Sequence, residues 1–334
     1  MSNKRFGKGL IGWLTTLVIL GICCFFVFSN FDLHSFQQAL SGRPAWTYAV
    51  AAVLFIPTYL PQGLRLYLVL RRRCGWLWCL RGAFLGAGAN TLLPARLGDV
   101  VKAGYLAAHC RVPFSFTLCG VFWERLSDVT AVLVLTGVLG WHFDFFALAL
   151  SPLLMLVAIL TGLWLVCRWP LFFLHCLARL PNGNIRSQLE DAVATIADKR
   201  AWPPLPLLFA ASLGIWLCFC IFTTLFLAFF QGQDTNFFLG ALITLAGAIG
   251  MMLPGAPAGA GTYEASVVAA MMLAGQDKSE ALAFAAVLHI IQIVPCALYA
   301  AFAALRGQWS PSGKGVAQAL ARHTSGESSQ GRHD

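Results

Sequence analysis

Hydrophobic and polar positions alternate along this chain on the scale of whole helices. Apolar runs occupy residues 10–29, 44–70, 113–140, 146–167, 205–230 and 281–305, each bounded by a polar or charged connection. A helix rises about 1.5 Å per residue, so about 20 apolar residues cross the hydrocarbon core of a bilayer. The six runs therefore predict six full membrane spans. Two other apolar stretches are broken. Between 76 and 112, Gly82, Gly86 and Gly88 loosen the first half, Pro94 and Gly98 stop it, and an amphipathic stretch with Arg96, Asp99, Lys102 and Tyr105 follows. This pattern predicts a re-entrant hairpin or two half-helices. The second, 237–253, is rich in Gly and Ala and runs into Pro254-Gly255-Ala256-Pro257-Ala258-Gly259-Ala260-Gly261. Proline lacks a backbone donor and glycine has poor helix propensity, so the helix must end there. A new one is expected near Thr262.

The expected fold is an all-α polytopic membrane protein of about six full transmembrane helices plus two broken or re-entrant segments. A single transmembrane domain would occupy 1–306, followed by a disordered, Ser- and Gly-rich cytoplasmic tail over 307–334. Positive residues orient the spans, because loops retained in the cytoplasm are rich in Lys and Arg. Lys4, Arg5 and Lys8 precede the first run, Arg71, Arg72 and Arg73 close the second, Arg168 closes the fourth and Arg306 the last. Both termini are then cytoplasmic. The first run lacks the short core and small-residue cleavage site of a signal peptide, so it reads as an uncleaved helix. The first broken segment would enter from the cytoplasm and the second from outside, the pattern of an inverted repeat with its site at the midplane.

Composition narrows the function classes. The chain is 58% hydrophobic and 11% charged, with a mean hydropathy of +0.72, where soluble domains carry about 25% charged residues. No polar stretch reaches the ~50 residues of a small domain, which leaves no room for a soluble catalytic module. The net charge of +9 lies mostly in short loops and tails. It suits anionic lipid headgroups, and no basic, aromatic-interleaved patch points to nucleic acid. Eleven cysteines are scattered without a Cys-x-x-Cys. They read as small buried hydrophobes, not a disulfide framework or metal site. His289 and Gln292 share one face of the last run and read as a bond to a neighbouring helix rather than a metal site. No cofactor is expected.

The candidate chemistry lies where charge enters apolar segments. Arg96, Asp99, Lys102, Arg111, Glu124, Arg125 and Asp128 fall within 33 positions. Charges at membrane depth are costly unless they face protein or a water-filled cavity. Glu124 and Asp128 are four apart, so both carboxylates face one side of a helix. Unpaired, they would repel and lose hydration, so they require cations from Arg96, Lys102 or Arg125. The outcome is either a structural ion-pair knot or a site for substrate or proton. Asp99 and Lys102 are three apart and can pair. Arg65, about 1.5 turns inside the end of its run, either snorkels to the interface or lines the cytoplasmic mouth of the site. Glu264 follows Gly259 and Gly261 in the first turn of a helix whose free N–H groups favour an anion. It either closes that helix start itself or serves the site. The stretches 90–128 and 253–264 are expected to build one site.

Taken in order, Asn90, Pro94-x-Arg96-x-Gly98-Asp99-x-x-Lys102, Glu124-Arg125-x-x-Asp128 and Pro257-x-Gly259-x-Gly261-x-x-Glu264 resemble the lysylphosphatidylglycerol synthase transmembrane, or flippase-like, family. The resemblance covers roughly 10–306, and Arg65 matches the family's Arg near the end of its second span. The family usually has Glu at the position of Asp99 and often Arg at that of Lys102. Charge is kept, but reach and bidentate geometry change. In that family the membrane region of multiple peptide resistance factor moves aminoacylated phospholipid between leaflets. The resemblance thus implies a flippase or translocase for a phospholipid or polyprenyl-phosphate-type lipid, in a bacterial inner membrane. Its substrate-binding set would be Arg65, Asn90, Arg96, Asp99, Lys102, Glu124, Arg125, Asp128, Gly259, Gly261 and Glu264. The cations and Asn90 would take a phosphate. The carboxylates would balance them, or engage a cationic headgroup or proton. The alternatives are an integral-membrane transferase, with Glu124, Asp128 or His289 as acid/base candidates, and a subunit or scaffold of a lipid- or glycan-modifying enzyme. Expected partners are an anionic or carrier lipid and the membrane, with a homo-oligomer or a neighbouring lipid-modifying enzyme as further candidates. If the site is right, native mass spectrometry of the gently purified protein detects an anionic or polyprenyl-phosphate lipid that Arg96→Ala loses. A lipid complement unchanged by the substitution refutes it.

Overall fold

A computed structural model describes residues 21–308, except 24, 28, 30–31, 42–43, 94–96, 145, 179–189, 191–192, 195–196, 198–201, 233 and 253–256. Every regular element among the described residues is helical. Helix α1 is Leu33–Ser41. Helix α2, Ala45–Phe55, passes through one 3-10 turn at Ile56–Thr58 into α3, Tyr59–Val69. Pro57 lies in that turn, where the missing N–H interrupts the regular ladder. There follow α4 (Trp76–Leu92), α5 (Gly98–Cys110), α6 (Phe114–His142), α7 (Phe146–Arg168), α8 (Pro170–Leu177), α9 (Leu205–Gln231), α10 (Phe237–Met252), α11 (Thr262–Leu273) and α12 (Lys278–Leu305).

Among the described residues four helices are long and apolar enough to cross a membrane: Ala45–Val69, Leu150–Arg168, Leu205–Gln231 and Lys278–Leu305. They answer four of the six expected spans. The fifth, α6, is 29 residues long, but Glu124, Arg125 and Asp128 near its middle make it less apolar than the other four. The run 10–29 lies mostly outside the described residues, as does the tail beyond 308. Both broken stretches divide as their Gly and Pro pattern requires. Helices α4 and α5 have 17 and 13 residues, and α10 and α11 have 16 and 12. The protein is thus an all-α polytopic membrane protein.

The chain forms two compact units. The first comprises the described residues of Met1–Thr58, Ala87–Leu97 and Leu217–Tyr299. Its core is the packing of α10 on α11, which small residues make close. A Cβ added at Gly247 would lie 2.6 Å from Cε2 of Tyr263, and one at Gly250 would lie 2.5 Å from the Thr262 carbonyl. Membrane helices associate through such small-residue contacts, because lipid supplies no hydrophobic drive between them. Phe226, Phe230 and Phe284 pack ring on ring beside this core. Lys278 donates to the carbonyl and hydroxyl of Ser29, at 2.5 and 2.9 Å.

The second unit comprises the described residues of Tyr59–Gly86, Gly98–Trp216 and Ala300–Asp334. Helix α6 is its centre and packs against α3, α5 and α7. Ala103, Ala107, Phe114 and Val121 form one buried cluster between α5 and α6. Val69, Trp123 and Leu208 form another. Gly86 admits the stem of Lys102, since a Cβ there would lie 3.0 Å from the Lys102 Cβ.

Replacing Gly250 with Leu should lower the thermal unfolding midpoint in detergent, because overpacking costs about 1–3 kcal/mol. Gly162→Leu, where nothing lies within 4 Å of an added Cβ, should leave it unchanged. Tryptophan fluorescence during heating reads both.

Candidate functional site

In the second unit the charges converge on α6. Helical pitch places Glu124, Ser127 and Asp128 along one stripe, while Arg125 is turned by about 100°. Lys102, from α5, donates to Glu124 Oε2 at 2.7 Å. Arg65, from α3, lies between the two carboxylates. Its Nη2 donates to Glu124 Oε1 at 3.4 Å and to Asp128 Oδ2 at 3.1 Å. Its Nη1 donates to Asp128 Oδ1 and, at 2.9 Å, to the hydroxyl of Ser212. Ser212, from α9, donates onward to Ser127 Oγ at 2.9 Å. Trp216 Nε1 donates to Asp128 Oδ1 at 3.3 Å. On the outer side of α6, Arg125 grips Asp99 with two parallel bonds, Nε to Oδ2 at 2.8 Å and Nη2 to Oδ1 at 2.6 Å.

Burial grades the network. Arg65, Lys102 and Glu124 are 4%, 5% and 2% exposed, whereas the Arg125 side chain is 44% exposed. Among the described residues three cations (Arg65, Lys102, Arg125) face three carboxylates (Asp99, Glu124, Asp128), so their formal charges sum to zero. A buried ion without a partner costs several kcal/mol. Arg65 removes the repulsion between Glu124 and Asp128 by serving both, and a planar fork can do so where an ammonium cannot. Its Nε is a buried donor with no acceptor among the described residues.

Several expectations change here. The cation shared by the two carboxylates is Arg65, which is buried rather than snorkelling. Lys102 does reach Glu124, as expected. Asp99 does pair with Lys102, at 4.0 Å across the i,i+3 spacing, and is held more closely by the two aligned donors of Arg125. Arg96 lies outside the described residues. Asn90 belongs to the first unit. Ser127, Ser212 and Trp216 were not among the candidate residues. Their only sequence signal is a hydroxyl and an indole N–H within a strongly apolar helix.

In the first unit, Glu264 stands at the start of α11. Ala258, Gly259 and Gly261 adopt left-handed φ values of 62°, 76° and 85°, which glycine tolerates and alanine does at a cost of about 1–2 kcal/mol. The Gly261 N–H donates to Glu264 Oε2 at 2.7 Å, so Glu264 does close its own helix start. Its other oxygen lies 2.7 Å from Nδ1 of His289, whose Nε2 lies 3.1 Å from the Ala258 carbonyl. The Tyr263 ring stacks on the imidazole at 4.2 Å between centroids. His289 is 3% exposed and, as expected, bonds a neighbouring helix.

The family model for the lysylphosphatidylglycerol synthase TM region matches residues 13–300. The chain belongs to this family. The matched region contains the α6 network and the Glu264–His289 pair, and membership gives the protein a membrane lipid-related function. No curated protein matches the chain.

Losing one partner of a buried pair costs about 3–5 kcal/mol, whereas replacing both with apolar residues is often nearly neutral. Lys102→Met and Glu124→Leu should each destabilise strongly, and the double variant should recover part of the loss. Arg125→Ala, at the exposed rim, should cost about 1 kcal/mol or less. Thermal unfolding of the four proteins in one detergent checks this.

Proposed function

We propose that the protein is a flippase or translocase that moves a phospholipid or polyprenyl-phosphate-type lipid between leaflets. The observation that carries this reading is the buried, charge-balanced network around Arg65 and Lys102. Charged groups within an apolar unit are costly to bury even when paired, and mark functional sites. Arginine forks match phosphate oxygens bidentately, and lysine adds a point charge. Because the network is already neutral, a phosphate enters by replacing a carboxylate on Arg65 or Lys102, and the spare Nε of Arg65 supplies a donor. A carboxylate so released can take an ammonium group of the same headgroup. The broken helices α4 and α5 supply backbone that can shift without unwinding a full span. The orientation that fits Arg71, Arg72, Arg73, Arg168 and Arg306 puts both termini in the cytoplasm of a bacterial inner membrane.

A second reading, an integral-membrane transferase or a subunit of a lipid-modifying enzyme, is favoured by the family's description as a synthase region. The Glu264–His289 pair would be its acid and base. Chemically altered lipid after incubation with pure protein would select it.

The test is transport of a headgroup-labelled phospholipid in proteoliposomes, read by a quencher that cannot cross the bilayer. Wild type should expose the inner-leaflet label, and Lys102→Gln should slow this by at least about tenfold, the scale of one charge-assisted hydrogen bond. No movement by wild type, or an equal rate in the variant, overturns the assignment.

A further inference from the structure

The bonds of His289 constrain its protons. The Ala258 carbonyl can only accept, so Nε2 at 3.1 Å carries a hydrogen. The 2.7 Å contact between Nδ1 and Glu264 Oε1 also needs a hydrogen, on one atom or the other. A lone pair facing an ionised carboxylate at that distance is repulsive. An imidazole with one hydrogen and an ionised Glu264 can satisfy one of these contacts, not both. We infer that Glu264 and His289 together form a proton-binding site whose occupancy holds the 257–261 turn closed. This inference is independent of whether lipid crosses the bilayer.

Occupied, the pair is neutral overall, either as imidazolium and carboxylate or as imidazole and carboxylic acid. Loss of one proton leaves a net charge of −1 in an apolar setting. One contact then fails: either Ala258 loses its donor or Glu264 loses its partner. The turn is the weak element. Ala258 holds a left-handed φ of 62°, a conformation that persists only when surrounding contacts impose it. His289 bonds it from one side, and Thr262 Oγ1 donates to the Gly259 carbonyl at 3.0 Å. Opening frees the Gly259 and Gly261 backbone, which alone among these residues has no steric preference for the closed form.

No other charged side chain bonds the pair among the described residues. Helix α10 carries no ionisable residue, and neither does the turn. Helix α11 supplies Tyr263, stacked on the ring, besides Glu264. Helix α12 supplies Lys278 and Glu280 in its first turn, at least nine positions before His289. The 217–231 part of α9 supplies only Cys218 and Cys220, and the rest of the described unit only Cys23, Asp32, His34, Tyr48, Asp234, Asp277, Cys296 and Tyr299.

The test is hydrogen–deuterium exchange of the peptide covering 257–265 in the full chain in nanodiscs, corrected for the intrinsic pH dependence of amide exchange. Wild-type protection should fall by about tenfold between about pH 5 and pH 9, the scale of one hydrogen bond to a charged group. His289→Gln should sit at the low level throughout. Glu264→Gln should stay protected at every pH, because its amide donates to Nδ1 of a neutral imidazole while its oxygen still accepts from Gly261. Flat wild-type protection, or a Glu264→Gln variant as open as His289→Gln, overturns the proposal. A purely structural ion pair gives that second result.

Discussion

An ion taken out of water must find its counter-ion within the protein, and the second unit is arranged around one instance of this constraint. Arg65 brings a delocalised cation between two carboxylates that the pitch of α6 places on one stripe. Remove it, and Glu124 and Asp128 face each other with only Lys102 and the rim to share. Keep it, and every neighbour must accommodate a guanidinium at depth. Gly63 lets α3 approach α4, where a Cβ would lie 2.9 Å from the Leu80 Cα. Ser212 offers the hydroxyl that accepts from Nη1, and Trp216 adds a donor to Asp128. The packing of small residues and the placing of polar ones follow from the same electrostatic requirement.

Much of this is legible in the sequence because it depends on short-range rules. Proline and glycine mark the breaks at 93–98 and 253–261, since both act on the local backbone. The shared face of Glu124 and Asp128 follows from helical periodicity alone. The pairing of Asp99 does not. It reaches Lys102 three positions away on its own helix, but its closer partner is Arg125 of α6, whose two aligned donors only tertiary placement brings near. Arg65 is ambiguous for a related reason. A long cationic side chain near a helix end can reach outward or inward, and the sequence holds no record of which carboxylate waits inside. Ser212 is less legible still, because one hydroxyl in an apolar helix ordinarily bonds its own backbone.

The first unit meets the same constraint with fewer groups. Among the described residues, no arginine bonds Glu264. Its counter-charge is an imidazole, and whether that imidazole is charged depends on a proton. The α6 network meets its carboxylates with guanidinium and ammonium groups. The Glu264–His289 pair needs two hydrogens between its contacts to Ala258 and Glu264, so its pairing is conditional on a proton. Fixed charge suits a site that must meet a ligand in a defined geometry. Conditional charge suits an element that must change, and here it is joined to the most permissive backbone of the unit.

Neutrality of the α6 network also limits how it can act. A site with surplus positive charge would bind a phosphate by addition and hold it strongly, since release would restore an unpaired buried cation. A balanced site binds by exchange: each bond to an incoming phosphate is gained as one to Glu124 or Asp128 is lost. The net preference is then small in either direction. Binding by exchange is compatible with passing a ligand on, because the empty state is as well satisfied as the filled one. Such near-equality of states is what the proposed carrier role asks of a site, and among the described residues three carboxylates set against three cations supply that balance.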